Sequence, residues 1–559
     1  MYEVTDQGPR TKDEGRRTKD EGEGAVRKLT VAAIALVAVL LPFGRASAQE
    51  TEHHHHEEQL GTVKFPTSCP ATVQKDFERG IALLHSFWYE EAEKQFAAVT
   101  KASPGCAMAH WGAAMSLYHQ LWEQVGKADL DRGWAEVQQG QASPKTTSRE
   151  KGYLAAAAAF FGNTDGRDHL TRAKAYADGM EKVYRENPGD TEAAAFYALS
   201  LLASEPPNDT TFANRKKAIP ILNELFAKNP DQPGVAHYLI HSCDKPQLAA
   251  MGLDAARRYA KIAPSSPHAL HMPSHIFIRL GLWQESINSN LASIASTRKS
   301  TERHMAGEGH QFHAMDFLQY SYMQTGDDVK AKGLVDEVNA MTLQHEMAGR
   351  DMLAYGRTQF AARYALERRQ WAEAAKLPLV PTHDPEVTAI TFYTRAIGSA
   401  RTGDAAGARA ALQQFEEQLA ILAKGSNAYL MVYMDVPKET IKAWVAFVEG
   451  RSDEAVRLMR AAADLQDSRG LAEVDVPERE QLADMLFELK RPADALAEYE
   501  ATLKEAPNRF NALYGAAQSA ELLGNGDKAH GYYAQLLQNC GASADRPELN
   551  RARTLVAQR

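Results

Sequence analysis

Apolar residues recur every three or four positions from about residue 70 to about residue 540. Sustained alternation of apolar and polar positions with β-branched residues, the pattern of a half-buried strand, is missing from this stretch. The pattern therefore predicts an all-α protein. It predicts helices over Ser148–Phe161 and His169–Glu186, and a solvent-facing terminal helix over Pro547–Gln558.

An internal repeat organises these helices. Four glycines, Gly326, Gly403, Gly450 and Gly524, are each followed five residues later by an alanine and four residues after that by a larger side chain. The alanines are Ala331, Ala408, Ala455 and Ala529, and the larger residues are Val335, Leu412, Met459 and Tyr533. Glycine permits a tight turn between two helices, the alanine permits their close approach, and the larger residue fills the groove between them. The spacing predicts stacked helical hairpins.

Two segments carry the repeat most clearly, ALYGAAQSAELLGNGDKAHGYYAQLL (512–537) and LADMLFELKRPADALAEYEATLKEAPN (482–508). Their alanines Ala495 and Ala529 are 34 residues apart. In this pattern the chain resembles the tetratricopeptide repeat (TPR) superfamily. The resemblance implies a right-handed superhelical solenoid of helix-turn-helix repeats, whose concave groove binds a protein, a peptide or another ligand in a scaffold or assembly role.

The segments HSFWYEEAEKQF, CAMAHWGAAMSLYHQLW and HMPSHIFIRLGLW resemble those of a group of exported bacterial TPR proteins. The repeat frame divides the chain after the leader into four parts. They are N-terminal repeats over 67–125, an irregular helical segment over 126–187, histidine-rich repeats over 188–350 and a C-terminal array with a capping helix over 351–559.

The N-terminus has the features of a secretory signal peptide. Arg27 and Lys28 precede an apolar run, Leu29–Leu41, and the small residues Ala46–Ala48 follow as a cleavage site. We therefore interpret residues 1–48 as a leader and expect a soluble bacterial protein that is exported to the periplasm or secreted. Once the leader is cleaved, no segment is long and apolar enough to span a membrane.

Residues 1–25 are rich in acids and do not fit the basic start of a signal peptide, so we place the translation start near Val26. After the leader, residues 49–66 are interpreted as a disordered linker. It contains His53–His56 flanked by acids, a tract that can chelate metal loosely.

Composition narrows the function. The chain has 559 residues with 63 basic and 72 acidic side chains, a net charge of −9, and a mildly acidic chain is a poor nucleic-acid binder. With only 4 cysteines, the chain is not a scaffold built on disulfides.

Cys69 and Cys106 are placed at the same end of neighbouring hairpins, where an oxidising compartment would allow a disulfide. Since P-loop, GxGxxG, HExxH and GxSxG motifs are all missing, a binding or scaffold protein is favoured over an enzyme.

The histidines are unusual in number and in position, because 8 of the 19 fall between 237 and 313. His237 and His241 form an HxxxH pair, and His271 and His275 form a second pair 34 residues later, one repeat away. Pro273 lies inside the second pair, so we expect its helix to start late or to kink there.

Repeat register places further residues beside these pairs. His268, His271, His275 and Arg279 fall on one face of a first helix, and His85 and His119 are again 34 residues apart. On these grounds the predicted ligand-binding groove comprises His85, His119, Arg279, Tyr238, Trp283 and Tyr320. The predicted metal ligands are His237, His241, His268, His271, His275, His310, His313 and Asp316.

Three interpretations of the histidines remain open. The favoured one is recognition of a protein, peptide, glycan or anionic ligand without metal. The alternative is a metal-binding protein or metalloenzyme holding Zn, Cu or Fe, with Cys243 and Asp244 completing or orienting the ligand shell. The third is a set of structural histidines that link helices by hydrogen bonds.

Overall fold

The protein was analysed as a computed structural model, which describes residues 58–557 except 122–123, 163–165, 343–350, 426–427, 471–473, 542–543 and 545. The predicted signal peptide 1–48 and the tract His53–His56 lie outside the described residues. Across the described part of the chain every regular element is a helix. The predicted all-α class is therefore confirmed.

Helix pairs joined by short turns follow one another along the chain, and consecutive helices pack against each other. The first thirteen are α1 Ala71–His85, α2 Tyr89–Ala102, α3 Ala107–Met115, α4 Lys127–Ala142, α5 Ser148–Phe161, α6 His169–Glu186, α7 Thr191–Ala203, α8 Ala213–Lys228, α9 Pro233–Cys243, α10 Leu253–Ile262, α11 Pro267–His271, α12 Pro273–Arg279 and α13 Trp283–Glu302. The other thirteen are α14 Glu308–Gln324, α15 Asp328–Ala340, α16 Met352–Glu367, α17 Trp371–Ala374, α18 Pro385–Arg401, α19 Ala405–Leu422, α20 Asp435–Val448, α21 Ser452–Arg469, α22 Glu478–Glu488, α23 Pro492–Glu505, α24 Phe510–Leu522, α25 Gly526–Asn539 and α26 Pro547–Ala557. Short 3-10 helices cover Ala249–Gly252 and Ala428–Tyr433.

The helices predicted over Ser148–Phe161 and His169–Glu186 have those bounds in the structure. The four repeat glycines all adopt positive φ, between 71° and 85°, at the turn between two helices. The alanines five residues later are buried, as close helix packing requires. The repeat deduced from the sequence is thus confirmed as an array of helical hairpins.

One continuous buried cluster runs from Leu60 to Phe277, across the predicted boundaries after 125 and 187, and the division of the chain into four parts stays a prediction. A second large cluster runs from Ala389 to Ala552. Cys69 and Cys106 form a disulfide with their Cα atoms 4.9 Å apart, which joins the start of α1 to the start of α3.

Distant parts of the array come into contact where the loop before α13 meets the loop before α24. The indole Nε1 of Trp283 donates to the carbonyl of Asn508 over 3.0 Å, and the amide of Asn508 donates to the carbonyl of Gly281 over 3.1 Å. Arg509 donates to the hydroxyl of Tyr320 over 2.6 Å. These contacts join parts of the chain more than 180 residues apart.

A buried ion network strengthens this junction. The fully buried guanidinium of Arg509 donates two hydrogen bonds of 2.8 Å to the carboxylate of Glu480. It also forms an ion pair of 3.0 Å with Glu367. Because all three side chains are withdrawn from water, each carboxylate depends on the arginine for its compensation.

The winding of the array forms a partly open cavity of about 920 Å³. One wall comes from the loop after α7 and from α9, α12 and α14. The facing wall comes from α16, α18, the 3-10 segment Ala428–Tyr433 and the residues around the start of α22. A volume of this size accommodates a small organic ligand.

Candidate metal centre

Local sequence fixes the helices that carry the histidines. Helix α9 begins at Pro233, a position where a backbone N–H has no partner within the helix, so proline loses no hydrogen bond there. The side chain of Gln232 caps the helix by accepting from the backbone N–H of Val235 over 2.6 Å. His237 and His241 then lie one turn apart on α9. Pro273 begins a second short helix, so the predicted interruption between His271 and His275 is confirmed as a break between α11 and α12.

Six histidines form two groups of three. In each group the ring nitrogens that face one another all lie within 4.8 Å. The first group is His237, His241 and His268, and the second is His271, His275 and His313. The groups are neighbours, because the ring centroids of His268 and His271 are 6.0 Å apart and those of His241 and His275 are 5.9 Å apart.

In each group, two Nε2 atoms are as far apart as two ligand atoms bound to the same metal ion. The Nε2 atoms of His271 and His275 are 3.0 Å apart, and those of His237 and His268 are 3.1 Å apart. Two nitrogens about 2.0 Å from a single ion lie about 2.8 Å apart at a right angle and about 3.3 Å apart at the tetrahedral angle. The observed separations fall between these limits.

The opposite ring nitrogen of three histidines is held by an oxygen. Nδ1 of His237 is 2.6 Å from the carbonyl oxygen of His85, and Nδ1 of His271 is 2.7 Å from Oδ1 of Asn290. Nδ1 of His275 is 2.9 Å from a carboxylate oxygen of Asp244. Oxygen partners of this kind fix the Nδ1–H tautomer and leave the Nε2 lone pair for a metal.

The second group gives the sharper argument. Asn290 donates through its own Nδ2 to the carbonyl of Ser286 over 2.9 Å, so its Oδ1 faces His271 as an acceptor. When both rings are neutral, His271 and His275 each carry their proton on Nδ1, toward Asn290 and Asp244. Their Nε2 lone pairs then point at each other across 3.0 Å without a hydrogen between them. A cation between the two nitrogens would convert this repulsion into coordination.

Burial keeps five of the six rings, those of His237, His241, His268, His271 and His313, in the neutral form that a metal needs. Desolvation lowers the pKa of His237 to about 3 and that of His313 to about 3. It lowers the pKa values of His241, His268 and His271 well below the usual range, helped by repulsion among the rings. The lone pairs are thus available at neutral pH.

Each group meets the cavity. His241 of the first group and His275 and His313 of the second line its wall. Among the described residues Nε2 of His241 is buried without a hydrogen-bond partner, which is the state of a metal ligand in a site described without ions. The two groups can therefore present ions to a ligand in the cavity.

Two other predicted metal ligands, His310 and Asp316, lie outside both groups. The His310 ring is 5.1 Å from that of His268, outside both groups. The carboxylate of Asp316 forms an ion pair with Arg363 and belongs to neither histidine group. Cys243 is fully buried, and Asp244 orients His275 and accepts from Nε of Arg279 over 2.9 Å.

Four of the six predicted groove residues lie in the interior rather than on a groove wall: His85, Tyr238, Trp283 and Tyr320. This corrects the prediction, because contacts from distant helices cover faces that a regular TPR array would leave concave. His119 is half-buried and stacks on Tyr89, with ring centroids 4.3 Å apart. Arg279 is the member of this set that lines the cavity.

His85 supports the first group from the interior. Its Nε2 is 2.6 Å from a carboxylate oxygen of Glu192, and its Nδ1 is 2.8 Å from the hydroxyl of Tyr238. Its carbonyl holds His237. The repeat register placed His85 in the ligand-binding groove, whereas in the structure its carbonyl positions the ring of His237.

Sequence reasoning missed the facing wall of the cavity. Tyr355, Arg363, Tyr393, Asp475 and Glu478 line it. Burial raises the pKa of Glu478 to about 8, with repulsion from Asp475 as a further cause, and burial also raises the pKa of Asp475. Nothing in their spacing links these residues to the histidines, since they approach only through the winding of the array.

Comparison with known proteins gives distant matches. No protein-family model matches the chain, and no curated protein matches it in sequence. A structure described as human IFIT1 dimer with m7Gppp-AAAA is 12% identical over 82% of this chain and 94% of its own, with a TM-score of 0.36. A tetratricopeptide repeat protein from Parabacteroides merdae is 14% identical over 53% of this chain and 98% of its own, with a TM-score of 0.26. Within the described residues, no helix combines the length and apolarity that crossing a bilayer needs.

Proposed function

We propose that this protein binds transition-metal ions at the two three-histidine groups and presents them to a small ligand in the cavity. One observation carries the proposal, the pair of Nε2 atoms of His271 and His275 that face each other over 3.0 Å with both protons directed elsewhere. Imidazole ligands suit Zn, Cu or Fe, and three protein ligands leave a coordination position open.

In this proposal each histidine group binds its own metal ion. His271, His275 and His313 hold one ion with Asp244 and Asn290 fixing two of the rings. His237, His241 and His268 hold the other, with the carbonyl of His85 fixing His237. A water or an organic ligand completes the coordination of each ion from the cavity, where an ion lowers the pKa of its bound water.

Metal content tests the proposal directly. The untagged full chain would first have its N-terminal histidine tract replaced by serine: His53→Ser, His54→Ser, His55→Ser and His56→Ser. This parent is loaded separately with Zn²⁺ and Cu²⁺, passed through a desalting column, and analysed by inductively coupled plasma mass spectrometry. We expect two ions per chain, because the structure offers two groups of ligands.

Variants assign each ion to its group. The double variant His271→Ala, His275→Ala should retain only the ion of the His237, His241 and His268 group. The double variant His237→Ala, His241→Ala should retain only the ion of the His271, His275 and His313 group. His383→Ala, at an exposed histidine outside both groups, is the matched control and should retain both ions. Equal metal content in all three variants, with the helical circular dichroism of the parent, would exclude the histidine groups as the site.

Export is part of the proposal. The Cys69–Cys106 disulfide supports it, since disulfides persist in oxidising compartments. The leader interpretation implies that the mature chain begins at Gln49. N-terminal sequencing of the protein from the periplasmic fraction or the culture medium tests this, and an intact leader in a cytoplasmic protein would reject it.

Helical-repeat arrays typically serve as protein-binding scaffolds, so a protein partner remains compatible with the fold. The interior position of His85, Tyr238, Trp283 and Tyr320 removes four residues from the predicted peptide groove. The protein or peptide partner, like the predicted lack of nucleic-acid binding, stays a prediction. Pull-down with the parent and with the histidine variants would tell whether such a partner depends on the metal groups.

A further inference from the structure

Arg363 is an unusual member of the cavity wall. It lies on α16, it is 3% exposed, and it lines the same cavity as His275 and His313. Its Nη1 forms an ion pair with the carboxylate of Asp316 and lies 3.3 Å from Oε1 of Gln319. The guanidinium is therefore anchored by one of its three nitrogens.

The other two nitrogens have no hydrogen-bond partner within the part of the chain that the structure describes. Nε and Nη2 of Arg363 are buried and have no hydrogen-bond partner among the described residues. These two atoms form one edge of the guanidinium, which projects two parallel N–H bonds with the spacing of the two oxygens of a carboxylate. A buried donor without a partner is costly, so a pair of them on a cavity wall indicates a ligand that supplies two acceptors.

The paired N–H edge of Arg363 favours the two oxygens of a carboxylate over a single neutral acceptor. Asp316 balances the guanidinium on one side. Asp475, the other acidic neighbour, is not within hydrogen-bond reach of Nε or Nη2, and burial raises the pKa of its carboxyl. Two other cavity arginines already hold carboxylates, Arg215 with Glu205 at 2.8 Å and Arg279 with Asp244 at 2.9 Å.

Position connects Arg363 to the second histidine group. Its partner Asp316 follows His313 by three residues on α14, so the two side chains lie on one helical face about 5–6 Å apart at Cβ. Tyr355, Ile390 and Tyr393 line the neighbouring wall and offer apolar and aromatic surface. A ligand bound at Arg363 can therefore rest its body on these rings and reach the ion at His275 and His313.

We propose that the cavity binds a small organic carboxylate, with the carboxylate on Nε and Nη2 of Arg363 and an apolar or aromatic body directed toward the His271, His275 and His313 group. The inference names the ligand class for the cavity of the proposed function. The binding of the carboxylate itself requires Arg363 and not the metal, so the two proposals can fail separately.

Isothermal titration calorimetry of the full chain treated with a chelator provides the test. The probes are benzoate and its neutral isostere benzamide, with phenyl phosphate as a third ligand that carries a tetrahedral anion. We expect benzoate to bind at least tenfold more tightly than benzamide and more tightly than phenyl phosphate. Equal affinities for benzoate and benzamide, or preference for phenyl phosphate, would overturn the carboxylate assignment.

Variants locate the binding. Arg363→Lys keeps a cation beside Asp316 but lacks the paired N–H edge, and should weaken benzoate at least tenfold. Arg215→Lys alters another arginine of the same cavity that already pairs with Glu205, and should change benzoate affinity by less than twofold. Loss of benzoate binding in the second variant but not in the first would overturn the placement.

Asp475→Asn keeps the proposal testable should Arg363→Lys fold poorly. It removes an acidic group that interacts with Arg363 through its charge, so benzoate should bind several-fold more tightly, and unchanged or weaker binding would contradict the placement. The metal-content experiment is read independently. Two ions per chain with no preference for benzoate over benzamide rejects this inference alone. Benzoate binding at Arg363 in a chain that retains no ions after loading with Zn²⁺ or Cu²⁺ rejects the metal proposal alone.

Discussion

Glu478 provides a quantitative test of the structure on the cavity wall. It begins α22, it is 4% exposed, and burial together with the charge of Asp475 raises its pKa from 4.5 to about 8. Thr440 donates to its Oε1 over 3.3 Å, while Oε2 has no hydrogen-bond partner among the described residues. The folded protein therefore holds this carboxyl mainly in the neutral form at pH 7.

The raised pKa converts into a dependence of stability on pH. An acid that binds its proton more tightly in the folded state than in the unfolded state destabilises the fold once the pH exceeds the unfolded pKa. With values of 4.5 and about 8, linkage predicts that the free energy of unfolding falls by ~2.5 kcal/mol from pH 5 to pH 7 and by ~1.4 kcal/mol more from pH 7 to pH 9. The loss levels off above pH 9, where both states are ionised.

The perturbation is Glu478→Gln, which keeps the shape and removes the titration. Guanidinium unfolding of the parent and the variant is followed by circular dichroism at pH 5, pH 7 and pH 9. We expect the two chains to differ little at pH 5 and the variant to be more stable by ~3 kcal/mol at pH 7. Glu373→Gln at an exposed position is the control and should follow the parent at every pH. Parallel curves for parent and Glu478→Gln across the range would refute the assignment of a neutral carboxyl.

Three further perturbations test the packing of the array. Arg509→Met leaves two buried carboxylates uncompensated, so it should destabilise the protein by ~3–5 kcal/mol in the same unfolding assay, and a loss below ~1 kcal/mol would contradict the buried network. Replacing Cys69 and Cys106 together by serine opens a loop with a sequence separation of 37, and the chain-entropy relation predicts that the free energy of unfolding falls by ~4 kcal/mol. A reductant should lower the melting temperature of the parent but not that of the variant. Gly281→Ala places a side chain at φ 65°, which costs ~1–2 kcal/mol of backbone strain, and its Cβ also collides with the backbone of residue 507. Gly524→Ala, at φ 71°, has the same backbone strain, but its Cβ meets no other atom among the described residues. A larger fall in melting temperature for Gly281→Ala is expected, and equal falls would reject the contact between these parts of the array.

The helical array could be deduced from the sequence because its determinants are local. Turn glycines such as Gly326 and Gly450 require positive φ, and the alanines that follow permit two adjacent helices to approach. Both requirements act within one repeat, so they leave a periodic trace. The break at Pro273 was predictable for the same reason, since a proline acts on its own helix.

The histidine groups could be predicted in part. HxxxH spacing places His237 and His241 together, and the repeat period places His271 and His275 on a neighbouring helix. Sequence could not divide six rings into two groups or identify Asn290 as the partner of His271. Those assignments depend on distances across helices, which no spacing along one helix specifies.

Sequence by itself therefore determined the helices, the repeat turns and the stretch in which chemistry is concentrated. Tertiary structure alone decided that His85 and Tyr238 are interior, that Arg363 faces the same cavity as His313, and that Glu478 is neutral there. The physical reason is the range of the interactions. Turn geometry and helix packing act between near neighbours in sequence, whereas burial, ring orientation and pKa depend on every segment that the superhelix brings around a site.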